Sequence, residues 1–402
     1  MFWIYALLLL VVIVGQTELI VTLVNRIHGL PLPHWLLRKI RHVHDVLIPT
    51  LPIVVLWFVG IGGPGLLSGG SWTDLPMGWA AYFVFCGFGA IGLLMTVVTR
   101  GLRTIPASQL KDKSWTVDIA KRLGKPPLAE GPYQFMTRVP GNEIFQVQVA
   151  EKTFQLPRLP VEWEDLSILH LTDLHLTGTL DRPFFEVVTE LAAEMKADMI
   201  VFTGDLIDKQ ELTEWLPSTL GRLKAPLGCY YILGNHDWNL DPRPIRDMMN
   251  NLGWQDVSGR CEEVDINGRT LTIAGTEKPW MGQHPDFSRA SSDTFRLLLS
   301  HTPDNINWAR GQNVDLMLSG HNHGGQVQLP LIGPVYSPSV YGTRYASGVF
   351  WEEPTLLYVS RGIAGQHPLR IGCQPELTKL VLKAHTLNTQ KPTEPILEAV
   401  SV

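Results

Sequence analysis

Ile168-Leu-His-Leu-Thr-Asp-Leu-His-Leu-Thr177 sets the reading of this chain: a mostly apolar run passes directly into Asp173 and His175, two positions apart. Such a run is expected to be a buried parallel strand that ends in a polar loop. In open α/β layers the chemistry sits beyond the carboxyl ends of the strands, so Asp173 and His175 stand where a site is expected. Residues two apart on a continuing strand lie on one face, side by side along the strand, and do not converge. Both can reach one point only if the chain turns there, and a metal ion is the usual reason for such a turn.

The same grammar of apolar run and polar cluster recurs along the chain. Met199–Thr203 leads into Gly204-Asp205-Leu-Ile-Asp208, and Cys229–Leu233 leads into Gly234-Asn235-His236-Asp237. Asp315–Ser319 leads into Gly320-His321-Asn322-His323, and Leu297–Ser300 ends on a lone His301. Glycine directly after a strand allows a sharp turn that a bulkier residue would strain.

In the order D-x-H, G-D-x-x-D, G-N-H-D, a single His and G-H-x-H, these motifs resemble the calcineurin-like metallophosphoesterase superfamily over roughly the last 240 residues. Gly324-Gly-Gln-Val-Gln-Leu-Pro-Leu-Ile-Gly-Pro-Val335, Leu357-Tyr-Val-Ser-Arg-Gly362 and Pro375-Glu-Leu377 resemble its bacterial, often membrane-attached branch, which includes a UDP-diacylglucosamine hydrolase of lipid A synthesis. The resemblance implies a two-sheet αββα sandwich and a pair of divalent ions bridged by Asp205. One ion would take Asp173, His175 and His323, and the other Asn235, His301 and His321. His236 is implied as the general acid and Asp208 as the residue that orients it; capping of the following helix is the plainer alternative for Asp208. An N/O donor set without thiolate fits manganese, iron or zinc, with manganese placed first. Between two such ions a water is acidified enough to attack phosphorus at neutral pH. Arg344 and Arg361 follow motif-like loops and are candidate phosphate contacts, with surface ion pairing the competing reading. Glu277 and Lys278 stand where relatives often carry two aspartates, which leaves the role of that loop open; Trp280 beside them reads as packing or as the lining of an acyl pocket.

Composition adds a membrane. The charged fraction is 18% and the mean hydropathy +0.08, greasy for a soluble enzyme of 402 residues. The excess lies in the first 99 residues, whose charged side chains are Glu18, Arg26, Arg38, Lys39, Arg41, Asp45 and Asp74. Phe2–Val24, Val46–Leu67 and Met77–Val98 each approach the ~20 residues that a spanning helix needs. Three such segments in sequence are hard to bury in a soluble domain. A cleaved signal peptide fits the first poorly, because it lacks a basic start and an evident small-residue cleavage site. Arg26, Arg38, Lys39 and Arg41 follow the first segment, and Arg100, Arg103, Lys111 and Lys113 follow the third, which by the positive-inside rule places the first loop and the C-terminal region in the cytoplasm. His28, His34, His42 and His44 in the basic loop are read as interfacial polar residues.

The expected organisation is therefore a membrane region at 1–99, a linker and lead-in strands at 100–160, a catalytic α/β domain at 161–385 and a tail at 386–402. Residues 101–131 are read as linker or short helix, and Phe145–Val149 and Lys152–Leu156 as two half-buried antiparallel strands. Arg182–Lys196, Leu212–Leu223 and Pro242–Leu252 are expected helices. Thr355–Ser360 and Leu377–Leu382 are expected in a second, more antiparallel sheet that faces the first. Cys86, Cys229, Cys261 and Cys373 form no C-x-x-C pair and read as free thiols. A formal net charge of −5 without a basic and aromatic stripe gives little support to nucleic-acid binding. The leading reading is a multi-pass inner-membrane phosphoesterase, its catalytic domain cytoplasmic, acting on a phosphorylated small molecule, in its sharpest version the lipid-linked UDP-2,3-diacylglucosamine. The alternatives are a broad-specificity phosphodiesterase or phosphatase and a metal-binding membrane sensor without turnover.

Overall fold

Three long helices open the chain: α1 (Phe2–His28), α2 (His34–Val55, continued by the π-helical turn Leu56–Ile61) and α3 (Met77–Gly101). The protein is described by a computed structural model at residues 1–291 and 293–385, so the expected tail at 386–402 lies outside the described residues. All three helices are long and apolar enough to cross a membrane. The second begins at His34, well before the expected Val46, because Pro33 starts the helix and neither Gly nor Pro interrupts it before Pro49. Arg38, Lys39 and Arg41 consequently sit on a helix and not in a loop. α1 and α3 cross at glycine: a Cβ on Gly15 would lie 1.9 Å from the Cys86 carbonyl oxygen, and one on Gly89 would lie 2.2 Å from that of Gly15. Small residues permit this backbone approach, which is how helices gain packing energy in lipid.

The next elements are β1 (Gln109–Asp118), α4 (Ile119–Leu123), β2 (Gln146–Leu156), β3 (Ser167–Leu171), α5 (Arg182–Glu194), β4 (Met199–Thr203) and β5 (Cys229–Ile232). They are followed by α6 (Asn235–Trp238), α7 (Pro242–Asn251), β6 (Trp254–Asp256), β7 (Cys261–Ile266), β8 (Arg269–Thr276) and β9 (Phe295–Ser300). The chain then forms α8 (Ile306–Gly311), β10 (Leu316–Ser319), a small ribbon of β11 (Gln328–Leu329) and β12 (Gly333–Pro334), β13 (Gly348–Glu352), β14 (Thr355–Val359) and β15 (Glu376–Ala384).

Two mixed sheets face each other, one ordered β1-β2-β15-β3-β4-β5-β6 and the other β13-β14-β10-β9-β8-β7. β3, β4 and β5 run parallel, as do β8, β9, β10 and β14, so each sheet gathers its strand ends at one edge. Every residue of β3, β4, β5, β9 and β10 is buried, which is why these strands read as continuous apolar runs. Ile168, Val201 and Ile232 of the first sheet pack against Leu297, Leu299 and Leu318 of the second. Each such side chain contributes about 1.5–3 kcal/mol on burial. The outer face of the first sheet is covered by Phe184, Phe185 and Val188 of α5, and that of the second by Ile306 and Ala309 of α8. This is the αββα sandwich.

Several details depart from the sequence reading. Gln109–Asp118, expected as linker or helix, is the edge strand β1; nearly all of it is exposed, and charge on an exposed edge hides strand periodicity while it guards against aggregation. The two expected antiparallel strands are one strand, β2, continuous through Ala150-Glu151 because β1 and β15 hold it on both sides. Thr355–Val359 and Glu376–Ala384 lie in different sheets, the latter inserted between β2 and β3. Leu212–Leu223 forms 3-10 turns, Gln210–Ser218 and Leu220–Arg222, since Pro217 cannot donate to an α-helical ladder.

Candidate metal centre

The turn demanded by Asp173 and His175 is made by those residues themselves. Asp173 (φ 56°), His175 (φ 45°), Asp205 (φ 58°), His321 (φ 69°) and His323 (φ 49°) all adopt the left-handed region, uncommon for side chains bearing a Cβ. Backbone bonds hold the turns: Asp173 N–H donates to the Gly204 carbonyl at 2.9 Å and His175 N–H to that of Asp205 at 3.1 Å. Gly234 and Gly320 serve approach more than turning. A Cβ on Gly234 would lie 2.1 Å from Asp205 Oδ1, and one on Gly320 would lie 2.2 Å from Asp173 Oδ2.

The ends of β3, β4, β5, β9 and β10 bring the expected ligands together in two sets that meet at one atom. Asp205 Oδ2 is buried, accepts no well-aligned hydrogen bond, and lies 3.3 Å from His175 Nε2 and 3.1 Å from His301 Nε2. On one side stand Asp173, His175 and His323, with His175 Nε2 3.2 Å from His323 Nε2. On the other stand His301 and His321, with His321 Nδ1 3.2 Å from His301 Nε2 and the Asn235 amide oxygen 3.2 Å from the same nitrogen.

Each imidazole has its other nitrogen committed. His175 Nδ1 donates to Asp208 Oδ2 (2.8 Å), His301 Nδ1 to the Thr203 carbonyl (2.7 Å), His321 Nε2 to the Pro338 carbonyl (3.0 Å) and His323 Nδ1 to the Ala364 carbonyl (3.1 Å). Carbonyls only accept, so in the neutral rings the inward nitrogens carry lone pairs. Pairs of lone pairs facing each other at 3.2 Å beside a buried carboxylate repel unless a cation lies among them. Outward N–H groups anchored on carbonyls are also the usual support of metal-bound histidine. The donor set fits divalent ions.

His236 stands beside this cluster. Its Nδ1 is 2.5 Å from Asp208 Oδ1, and its backbone N–H donates to Asp205 Oδ1 at 2.9 Å. Burial opposes its positive charge, but Asp208 and Asp205 outweigh that cost and raise its pKa to about 10. Burial likewise disfavours ionised Asp208, and His236 and His175 together hold its carboxyl below the usual range. Asp208 therefore touches both His175 and His236.

Residues 166–325 match the family model of calcineurin-like phosphoesterases. The metallophosphoesterase YkuE of Bacillus subtilis is 32% identical over 252 residues, which cover 60% of this chain and 87% of YkuE. The chain belongs to the calcineurin-like phosphoesterase family. The phosphodiesterase YaeI of Escherichia coli is 31% identical over 54% of this chain and 81% of its own length. The UDP-2,3-diacylglucosamine pyrophosphatase LpxG of Chlamydia muridarum is 28% identical over 56% of this chain and 85% of its own length. As a member, the protein is a metal-dependent phosphoric ester hydrolase.

The two arginines expected at substrate fall elsewhere in this phosphoesterase. Arg344 pairs with Glu352 at 2.7 Å and lies over the Tyr345 ring. Arg361 is bound to Glu376 and Gln148 behind the His323-Gly324 turn, where a Cβ on Gly324 would lie 2.8 Å from its Cγ. Neither makes a hydrogen bond or ion pair to the cluster among the described residues. Glu277 is a brace: its Oε1 accepts the Leu233 N–H at 2.7 Å, its Oε2 binds Arg246 at 2.6 Å, and it thereby fixes the strand end before Asn235. Trp280 packs on His321 and His301 with ring centroids 4.9 and 5.8 Å away. The sequence reading missed Arg370 and Asp237. Arg370 is fully buried and donates to the carbonyls of His323 (2.9 Å), Arg361 (2.8 Å) and Ala364. Asp237 accepts from the N–H groups of Leu206, Ile207 and Gly234, tying the Asp205 loop to the Asn235 loop. Its place in G-N-H-D was the available signal; Arg370 had none. The four cysteines are free thiols.

Proposed function

We propose that the protein is a membrane-anchored phosphoesterase with a dinuclear metal centre that hydrolyses a phosphodiester or pyrophosphate bond in a lipid-linked substrate. The observation that carries this reading is Asp205 Oδ2, set between two histidine groups whose outward nitrogens are all bound. Asp173, His175, Asp205 and His323 would hold one ion, and Asp205, Asn235, His301 and His321 the other. Bound there, the ions supply an acidified water and neutralise charge on the phosphoryl oxygens. Manganese is placed first, ahead of iron and zinc. His236 is the proton donor to the leaving oxygen, and Asp208, by accepting from its Nδ1, fixes the ring so that Nε2 carries the transferable proton. Arg344 and Arg361, paired with Glu352 and Glu376, have no part in this reading.

We place 1–99 in the membrane, with the first basic segment and the catalytic domain on the cytoplasmic side. UDP-2,3-diacylglucosamine is the substrate put first, supported by the likeness to LpxG. The likeness to YaeI supports a broader phosphodiesterase as the second reading. The test is manganese-dependent hydrolysis by detergent-purified protein of bis-p-nitrophenyl phosphate and UDP-2,3-diacylglucosamine in parallel. Turnover of the nucleotide lipid far above the chromogenic diester, with His236→Ala slowed about 10²–10⁴-fold and Asp205→Ala inactive, is expected. Activity on the diester alone would discard the lipid substrate, and no activity with metals bound would discard catalysis.

A further inference from the structure

A cavity of about 730 Å³ lies where the C-terminal ends of α1 and α3 meet the catalytic domain, apart from the metal centre. None of Asp173, His175, Asp205, Asn235, His301, His321 and His323 lines it. Its charged walls are Arg26, Arg100, Arg103 and Arg344 against Glu18 and Glu352. Glu352 is taken by Arg344 and by the Tyr345 hydroxyl at 2.6 Å, and Glu18 accepts from Thr22 Oγ1 at 3.1 Å. Among the described residues, Arg26, Arg100 and Arg103 pair with no carboxylate. Arg100 is held by the Ile332 carbonyl and by Thr343 Oγ1 at 2.7 Å, and Arg103 lies over the Phe350 ring with its carbon 4.1 Å from the centroid. Three guanidinium groups thus line one cavity without a carboxylate in ion-pair contact, Glu18 acting on Arg26 and Arg100 only from beyond that distance, an arrangement that suits phosphate oxygens.

The rest of the lining says which kind of phosphate. Val21, Leu93 and Thr96 continue the wall onto the apolar helices, while Thr343 and Phe350 belong to the catalytic domain. The cavity therefore opens where spanning helices end and a polar domain begins, the level of lipid headgroups, where arginine and anionic lipid attract each other. We propose that this cavity binds the phosphate headgroup of an anionic membrane lipid, as a second site distinct from the catalytic one. The proposal rests on the membrane reading of α1 and α3 and not on the identity of the hydrolysed substrate.

The experiment is native mass spectrometry of the full chain in detergent, titrated with phosphatidylglycerol or phosphatidylcholine. Wild type is expected to hold one phosphatidylglycerol at least tenfold more tightly than phosphatidylcholine. Arg26→Gln/Arg103→Gln should lose that preference, and so should Leu93→Trp, which fills the cavity without changing charge; metal content reports that each variant is folded. Asp205→Ala, inactive on the catalytic reading, should retain the lipid, which separates failure of this proposal from failure of that one. Equal retention of both lipids, unchanged retention in the two cavity variants, or displacement of the lipid by millimolar inorganic phosphate would overturn it, the last in favour of a soluble anion.

Discussion

Arg370 shows what a single buried side chain does for the centre. Its guanidinium spans the carbonyls of His323, Arg361 and Ala364, and the last of these also accepts from His323 Nδ1. A lysine cannot bridge three acceptors with one planar fork. Arg370→Lys is therefore expected to lower metal affinity about 10–100-fold, the cost typical of lost outer supports, with the fold retained. Isothermal titration with manganese checks this; unchanged affinity would show that Ala364 needs no such anchor. His170 makes a second prediction. It is fully buried against Thr203 Oγ1 at 2.9 Å, and burial pushes its pKa down to about 3. The unfolded chain holds the extra proton below pH of about 6.5, so the contribution is complete above that pH and is lost as pH falls towards 3. The slope is at most about 1.4 kcal/mol per pH unit. Melting temperature measured from pH 6.5 to 4.5 should fall less steeply in His170→Gln than in wild type. Parallel curves would assign acid lability to other groups.

At the scale of elements, α1 is more than a tether. Asn25 near its end donates from Nδ2 to the Val335 carbonyl and accepts the Ser337 N–H, both at 3.0 Å. The next residue, Pro338, offers the carbonyl that anchors His321 Nε2. An N-terminal apolar helix and a candidate metal ligand therefore share one short loop. Asn25→Leu removes both bonds, worth about 1–3 kcal/mol of local order. It is expected to speed hydrogen exchange across residues 332–340 and to reduce turnover without unfolding the sandwich. Exchange at the wild-type rate would mean that the loop orders itself. Gly89→Leu tests the crossing of α1 and α3, since any side chain there meets the Gly15 carbonyl. The expected result is a lower melting temperature in detergent, from overpacking of about 1–3 kcal/mol or more. An unaltered melting curve would mean that the two helices separate at no cost.

At the scale of the molecule, the proposed topology puts the C-terminus in the cytoplasm. A C-terminal tag labelled from the periplasmic side of intact cells would reverse that assignment, and protection until the membrane is opened is the expected outcome. The strand ends and their donors were legible in the sequence, because a strand buried on both faces must be an apolar run and its polar successor must face the edge of the sheet. The three long apolar helices were legible for a comparable reason, since about 20 apolar residues in a row are enough for a spanning helix and have few other places to go. Partners were not legible. β15 lies between β2 and β3, β1 hides its strand character in charge, and Arg344 and Arg361 turn to Glu352 and Glu376. Nor could any local pattern say that Thr203, Pro338 and Ala364 would supply the carbonyls that turn His301, His321 and His323 inward. Periodicity records which side of an element is buried, a local property of the chain. Which distant carbonyl, carboxylate or helix end meets that side is decided only when the two sheets and the apolar helices pack together.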